Sequence, residues 1–146
     1  MKKLAFLLSL LSSTAFAQTN IHFANPEVTD IVAGDFDEAD YEPSNVFDDP
    51  HAIAAELTNR INPDSLKSYL EKMSSFETRH TSSDRMSSTR GMGAARTWAL
   101  NKFDQFSAQN ENRLISSYLQ FDENICDVTR HKNIVAVLPG IPNIDS

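Results

Sequence analysis

The chain has 146 residues, with 13 lysine and arginine residues against 20 aspartate and glutamate residues, which gives a formal net charge of −7. A chain of this length accommodates about one small domain. After Lys2 and Lys3, the basic residues are scattered between Arg60 and Lys132 rather than clustered in a stripe. Because a protein needs such a stripe to displace the counterions of a polyanion, we expect no nucleic-acid partner.

The first seventeen residues have the three parts of a cleavable signal peptide. They comprise a basic pair (Lys2 and Lys3), a short apolar region (residues 4–11) and the small-x-small sequence Ala15-Phe16-Ala17. We therefore expect export to a secreted or periplasmic location, with cleavage after Ala17 and no membrane association afterwards. An uncleaved anchor is the alternative, but the apolar region is too short to span a bilayer. Cleavage would leave 11 basic and 20 acidic residues, a net charge of −9.

Residues 18–49 form a segment rich in acidic side chains. It contains no lysine or arginine, and like charges are mixed with turn-forming residues in the sequence GDFDEADYEPSNVFDDP. This composition predicts an extended or weakly ordered acidic arm, or a propeptide. A calcium loop is the alternative, but Asp35, Asp37 and Asp40 do not follow the ligand spacing of an EF-hand loop.

Two helices are predicted next, each with a capping residue followed by proline. Asp49 and Pro50 open the first, which carries Ile53, Leu57 and Ile61 at a four-residue spacing. The pair Asn62-Pro63 ends it and opens the second helix. The second helix has an apolar face and ends near Ser75; that face comprises Leu66, Leu70 and Met73.

Residues 76–89 are predicted to form a long polar loop, because seven of them are serine or threonine and several others are charged. His80, the hydroxyls of residues 81–83 and Asp84 superficially supply the base, nucleophile and orienting acid of a serine hydrolase. Local sequence defines no catalytic geometry, so we instead expect Arg79 and His80 to hold the loop by hydrogen bonds.

A third helix follows, with Ser88 or Thr89 as its predicted cap and an apolar stripe along its length (Met92, Ala95, Ala99, Phe103 and Phe106). Gly91, Gly93 and two alanines make its first turns thin, which permits close approach of another backbone. Gly91-Met92-Gly93 is no dinucleotide fingerprint, since a polar loop rather than a strand precedes it.

The chain then carries two predicted strands. Residues 113–121 alternate polar and apolar side chains. The sequence KNIVAVLPG (132–140) contains a continuous apolar run, residues 134–138, typical of a strand buried on both faces. We expect an antiparallel hairpin with the first strand at the edge, the second inside, and a long polar connection at residues 122–132. The lone Cys126 in that connection is expected to be a buried thiol, or to pair between chains or with a cysteine outside this sequence.

No constellation of residues predicts chemistry within this chain. His22, His51, His80 and His131 stand apart, and no HxxxH, HxD or CxxC spacing occurs. The sequence therefore assigns no catalytic, cofactor-binding or metal-ligating residue.

From residue 66 to residue 140, the order and wording of the elements resemble the amino-terminal segment of the bacterial leucyl aminopeptidases, which are di-zinc exopeptidases. The corresponding sequences are YLEKMSSFETRHTSS, RGMGAARTWALNKF, RLISSYLQF and KNIVAVLPG. The resemblance implies a three-layer α/β/α domain, incomplete here, with residues 50–146 as its amino-terminal part. It also implies a secreted enzyme that removes residues from peptide N-termini with two zinc ions and a glutamate base.

In that family the first zinc ligand belongs to a histidine-x-aspartate motif on the strand after LPG. This chain ends in IPNIDS, with Asn143 two residues before Asp145. We therefore expect no zinc to be bound by this chain and no activity from it alone, with zinc and peptide substrate belonging to a full-length relative. The alternative is a secreted, non-catalytic binding, inhibitor or propeptide-like protein. The sequence leaves the oligomeric state open.

Overall fold

The computed structural model describes residues 20–47 and 49–140. The predicted signal peptide and the tail with Asn143 and Asp145 lie outside the described residues. A 3₁₀ turn occupies Glu38–Tyr41. The other elements in chain order are β1 (His22–Phe23), α1 (Pro26–Ala33), α2 (Pro50–Arg60), α3 (Pro63–Ser75), α4 (Gly91–Gln109), β2 (Ile115–Ile125) and β3 (Val128–Val137).

The three strands form one antiparallel sheet in the order β1-β2-β3. Asn25, just before α1, donates its backbone N–H to the hydroxyl of Ser117, whereas the hydroxyl of Ser116 bonds Asp104 of α4. Because successive side chains of a strand point to opposite faces, α1 and α4 lie on opposite sides of the sheet. This confirms the predicted fold class, an incomplete α/β domain with helices on both faces.

The apolar core of the described residues is small. Its buried members are Val28, Ile31, Phe76, Ala94, Ala95 and Val128. Phe76 and the two alanines form one cluster, against which Trp98 packs. None of the described helices is both long and apolar enough to cross a membrane.

The predicted starts of α2 and α3 are confirmed. The carboxylate of Asp49 accepts the backbone N–H of His51 at 2.9 Å, with Pro50 in the first turn. Asn62 plays the same part for α3, where its side-chain oxygen accepts the backbone N–H groups of Asp64 and Ser65 in the first turn. These side-chain acceptors satisfy donors that a helix start otherwise leaves without partners.

The predicted cap of α4 is wrong, because the helix begins at Gly91, after both Ser88 and Thr89. Its N-cap is Arg90, whose side chain makes no capping hydrogen bond. The backbone N–H of Gly91 instead donates to the carbonyl oxygen of Phe76. A carbonyl from the preceding loop therefore replaces the expected hydroxyl.

The thin first turns of α4 are confirmed by the packing at Gly93. A methyl group added there would lie 2.5 Å from the carbonyl oxygen of Arg85 and 2.7 Å from that of Ser87. The loop of residues 76–90 thus lies directly on the helix backbone, as the small residues predict.

The antiparallel hairpin is confirmed, but its predicted long connection is wrong. The strands continue through that segment with one irregularity, and only Cys126 and Asp127 separate Ile125 from Val128. Both turn residues have positive φ, 52° and 62°. The cysteine is exposed at this turn, so the prediction of a buried thiol is also wrong.

The predicted order of the two strands is reversed within the described residues. β2 lies in the middle because β1 pairs with its second edge, with His22 opposite Gln120. β3 has only β2 as a described neighbour, and its run from Ile134 to Val137 is half-buried rather than buried. The expectation of an interior strand is therefore not met in this part of the chain.

The segment predicted as an acidic arm contains β1, which is a strand of the sheet, and α1, which packs on the sheet. Val28 of α1 is fully buried and Ile31 nearly so. Farther along, the side chain of Arg113 donates to the carbonyl oxygen of Tyr41 at 2.6 Å. Residues 20–41 are thus attached to the sheet at several points.

Candidate functional site

Four basic side chains converge on a cleft of about 370 Å³ between the loop of residues 76–90, the first turns of α4 and the hairpin. These are Arg85 from the loop, Arg96 from α4, and Arg130 and Lys132 from β3. Tyr118 of β2 completes the wall. An adjoining hollow of about 260 Å³ is lined by the same four basic residues. We call the larger space the cationic cleft.

Backbone carbonyls, rather than carboxylates, hold two of these guanidinium groups in place. Arg85 donates from Nη1 to the carbonyl oxygen of Arg130 at 3.3 Å, and Arg96 donates from Nη2 to the carbonyl oxygen of Arg85 at 3.4 Å. The ammonium of Lys132 lies 5.1 Å from the centroid of the Tyr118 ring, a cation–π contact. The loop, the helix and the hairpin are therefore linked through the cleft.

The positive charge of the cleft is only partly neutralised. Arg130 pairs with Asp122 at 3.1 Å. Among the described residues, Arg85, Arg96 and Lys132 have no carboxylate partner. Burial lowers the pKa of Arg96, and the nearby charge of Arg85 lowers it further. An arginine nonetheless stays protonated at neutral pH, so the cleft holds its positive charge.

This arrangement supplies hydrogen-bond donors and positive charge, which are the features that bind an oxyanion. Among the described residues, its lining contains hydroxyls at Ser87, Ser88 and Thr97, but no histidine or carboxylate that could act as a base toward them. The lining of the cationic cleft thus combines positive charge with hydrogen-bond donors.

The loop residues considered for a serine hydrolase do not form a triad. Nδ1 of His80 accepts the backbone N–H of Ser82 and lies 2.6 Å from the hydroxyl of the same serine. Asp84 instead accepts the backbone N–H groups of Met86 and Ser87. Because the orienting acid serves the loop backbone rather than the histidine, these residues organise the turn.

Within residues 20–47 and 49–140, no three histidine, cysteine or acidic side chains lie together in a way that could hold a metal ion. His131 stacks on Phe121 and its Nε2 lies against two backbone carbonyls. His22 contacts the side chain of Gln120. Both histidines therefore make contacts within the sheet.

The cationic cleft is not predicted from the sequence, since its residues are spread from position 85 to position 132. One local signal was present: Arg130 and Lys132 are two residues apart and so share a face of a strand. The polar composition of residues 122–132 predicts a loop, so the sequence does not place Arg130 and Lys132 together on a strand.

Comparison with known proteins relates the chain to zinc metalloproteases. It is 33% identical over 102 residues to a probable zinc metalloprotease of Pyrenophora teres f. teres. The matched region is 66% of this chain and 22% of that protein. A probable zinc metalloprotease of Pyrenophora tritici-repentis is 32% identical over 102 residues, 66% of this chain and 24% of its own length. One of Phaeosphaeria nodorum is 30% identical over 95 residues, 61% of this chain and 19% of its own length.

The chain spans about a fifth of the length of these relatives. No protein-family model matches it. No solved structure matches it either.

Proposed function

We propose that this chain is the amino-terminal part of a secreted, zinc-dependent aminopeptidase and is catalytically silent by itself. The observation that carries the proposal is its similarity, over 66% of its length, to a protein named a probable zinc metalloprotease. The aminopeptidase specificity, the peptide substrate and the second zinc ion rest on the resemblance of the four sequence segments to the leucyl aminopeptidases.

The packing of the described residues supports the proposal. Among residues 20–47 and 49–140, only six apolar side chains are buried, whereas large ones such as Leu66, Leu70 and Leu57 are more than half exposed. β3, which leads into Pro139 and Gly140, has a described partner on one edge only. An α/β domain of ordinary size would cover both of these features.

The described residues do not fit a zinc site, so no catalytic step is assigned to them. In a full-length enzyme, paired zinc ions would polarise the scissile carbonyl and lower the pKa of a bound water. This chain would contribute part of the sheet and the helices that support the metal-bearing strands.

The first experiment asks whether the chain alone has the activity. The purified chain is incubated with zinc, dialysed, and analysed for bound metal and for hydrolysis of aminoacyl-p-nitroanilides. We expect neither stoichiometric zinc nor metal-dependent turnover. Turnover that a chelator abolishes would show that the chain is an enzyme in its own right and would overturn the proposal of a silent segment.

The second experiment tests whether the DNA after the Ser146 codon encodes the histidine-x-aspartate motif of the leucyl aminopeptidases. The nucleotide sequence after the Ser146 codon is determined and translated in all three frames. We expect a strand with a histidine-x-aspartate motif within the next few dozen codons. If no frame encodes it, the zinc aminopeptidase proposal fails, and the alternative of a non-catalytic inhibitor is tested by adding the chain to a full-length relative.

Secretion is tested separately. The gene is expressed in a bacterial host with its first seventeen codons intact, and the exported product is sequenced from its N-terminus. We expect the product to begin at Gln18. A product that keeps Met1 and stays in the cytoplasm would contradict the proposed export.

A further inference from the structure

We propose that the cationic cleft is a binding site for a multivalent oxyanion, such as a phosphate group or a polycarboxylate. The proposal concerns the cleft alone and does not depend on peptidase activity. It rests on three cations without carboxylate partners in the described part of the chain, gathered around one concave space.

The charges in the cationic cleft favour a multivalent anion. Arg85, Arg96 and Lys132 bring three positive charges to the lining of one cleft in a chain whose net charge is −7. Like charges held close together repel each other, and a partly buried cation loses hydration. A ligand with two or three negative charges would reduce both the repulsion between the cations and the cost of their lost hydration. A singly charged anion would reduce them only in part.

The hydrogen-bond donors of the cleft are already partly oriented. Two of the guanidinium groups are already oriented by backbone carbonyls, so less side-chain entropy is lost when a ligand binds. Planar guanidinium groups present parallel N–H donors that match the paired oxygens of phosphates and carboxylates. The hydroxyls of Ser88 and Thr97 lie in the same lining and can add neutral donors.

The donors available to a ligand belong to side chains rather than to the N-terminus of α4. The backbone N–H groups of Gly91 and Gly93 already donate to the carbonyl oxygens of Phe76 and Asp84. The first turn of α4 therefore offers few free donors, and the side chains must bind the ligand. At about 370 Å³ the cleft also exceeds the size of a phosphate ion, so the oxyanion can carry a further group beside Tyr118.

The test is an NMR titration of the full chain, labelled with ¹⁵N, at constant ionic strength. Sodium phosphate, trisodium citrate, sodium acetate and sodium chloride are added in separate arms. We expect saturable shifts at the amides of Ser88, Gly93 and Thr97 with phosphate or citrate, and at least about tenfold weaker binding of acetate. Saturation by phosphate alone identifies a phosphoryl ligand, and saturation by citrate alone identifies a polycarboxylate.

Three variants accompany the titration. Arg96→Gln and Lys132→Gln should each weaken binding about tenfold. Arg60→Gln is the control: it removes one positive charge from α2, outside the cleft, and should leave binding unchanged. If Arg96→Gln fails to fold, Lys132→Gln still tests the proposal, since Lys132 lies on β3, at the edge of the described sheet. The positions of the shifted amides in the wild-type chain test it without any variant. The proposal is wrong if shifts scatter over the surface, if chloride reproduces them, or if all three variants weaken binding equally.

Discussion

At the scale of single residues, Gly93 decides how closely the loop of residues 76–90 can approach α4. A Cβ at this position would lie 2.5 Å from the carbonyl oxygen of Arg85, well inside van der Waals contact. Backbone atoms cannot move aside as the end of a flexible side chain can. Substitution here therefore displaces the loop, including one of the arginines of the cationic cleft.

We predict that Gly93→Ala destabilises the fold by about 1–3 kcal/mol, the usual cost of overpacking. Helix propensity alone predicts the opposite sign, a gain of about 1 kcal/mol for alanine within a helix. Urea unfolding followed by circular dichroism measures the difference. Gly140→Ala is the control, since no atom lies within 4 Å of its added Cβ, and it should change stability by less than about 0.5 kcal/mol. A stabilised Gly93→Ala variant would refute the close contact.

Asp84 has a comparable structural role through its charge. Hydrogen bonds from the backbone N–H groups of Ser87 and Met86 lower the pKa of its carboxyl below the usual 3.8, and Arg90 lowers it further. The folded state therefore favours the carboxylate. Its contribution to stability is present above about pH 4 and is lost as the pH falls through the lowered folded-state pKa.

We predict that Asp84→Ala lowers the urea midpoint at pH 7 and that the difference from the wild type shrinks as the pH falls below 3.8. Asp84→Asn retains an oxygen that can accept the two N–H groups, so it should lie between the other two proteins at pH 7. Urea midpoints from pH 7 to pH 3 provide the comparison. A difference that stays constant down to pH 3 would show that the carboxylate charge is irrelevant.

At the scale of elements, the sequence predicted those helices whose ends are marked by strong local signals. The pairs Asp49-Pro50 and Asn62-Pro63 placed α2 and α3 correctly, because capping and proline geometry are local properties. Helix α1 carries the same signal, with Asn25 before Pro26 and Gly34 in the left-handed conformation at its end. It was missed because the surrounding acidic composition outweighed that signal.

The strands depend on pairing between distant segments, which the local sequence does not reveal. β1 has only two residues, and it is recognisable solely through its pairing with β2 about 100 positions later. β2 and β3 extend beyond their apolar parts, since cross-strand pairs such as Asp122 with Arg130 continue the ladder with charged side chains. The cationic cleft could not be predicted for the same reason: it depends on the register of that polar extension.

The hairpin turn between β2 and β3 consists of Cys126 and Asp127. Cys126 and Asp127 both have positive φ, as a type I′ turn requires, yet neither is the asparagine or glycine that this turn prefers. We predict that the double substitution Cys126→Asn with Asp127→Gly stabilises the chain by about 1 kcal/mol. Asp127→Ala should destabilise it, because alanine lacks the polar side chain that eases this conformation. Urea unfolding under reducing conditions tests both, and equal effects of the two changes would contradict the assigned turn.

At the scale of the whole molecule, an apolar groove of about 420 Å³ remains open between α3 and α4. Tyr69 joins the two helices through edge contacts with Trp98 and Phe106. Leu66 and Leu70 on the rim are 54% and 72% exposed. Apolar surface of this kind is normally covered in a stable domain, which agrees with the small core.

We predict that the purified chain enhances the fluorescence of the dye ANS, which binds exposed apolar surface. Leu66→Gln combined with Leu70→Gln should reduce that enhancement while changing stability by less than about 0.5 kcal/mol, because both side chains are mostly exposed. Val32→Gln on α1 is the control, since that residue is 59% exposed but lies outside the groove. An unchanged signal in the double variant would show that the dye binds elsewhere.

The attachment of β1 has a consequence for the order of folding. The side chain of Asn20 donates to the carbonyl oxygen of Asp122, 102 positions away, and Asn25 contacts Ser117 across 92. Closing a loop of this length costs about 4 kcal/mol of chain entropy. β1 and α1 therefore cannot reach their native positions before the hairpin has formed, whereas the hairpin needs only a two-residue turn. Residues 20–33 should dock last, and in hydrogen exchange the amides of α1 should open before those shared by β2 and β3.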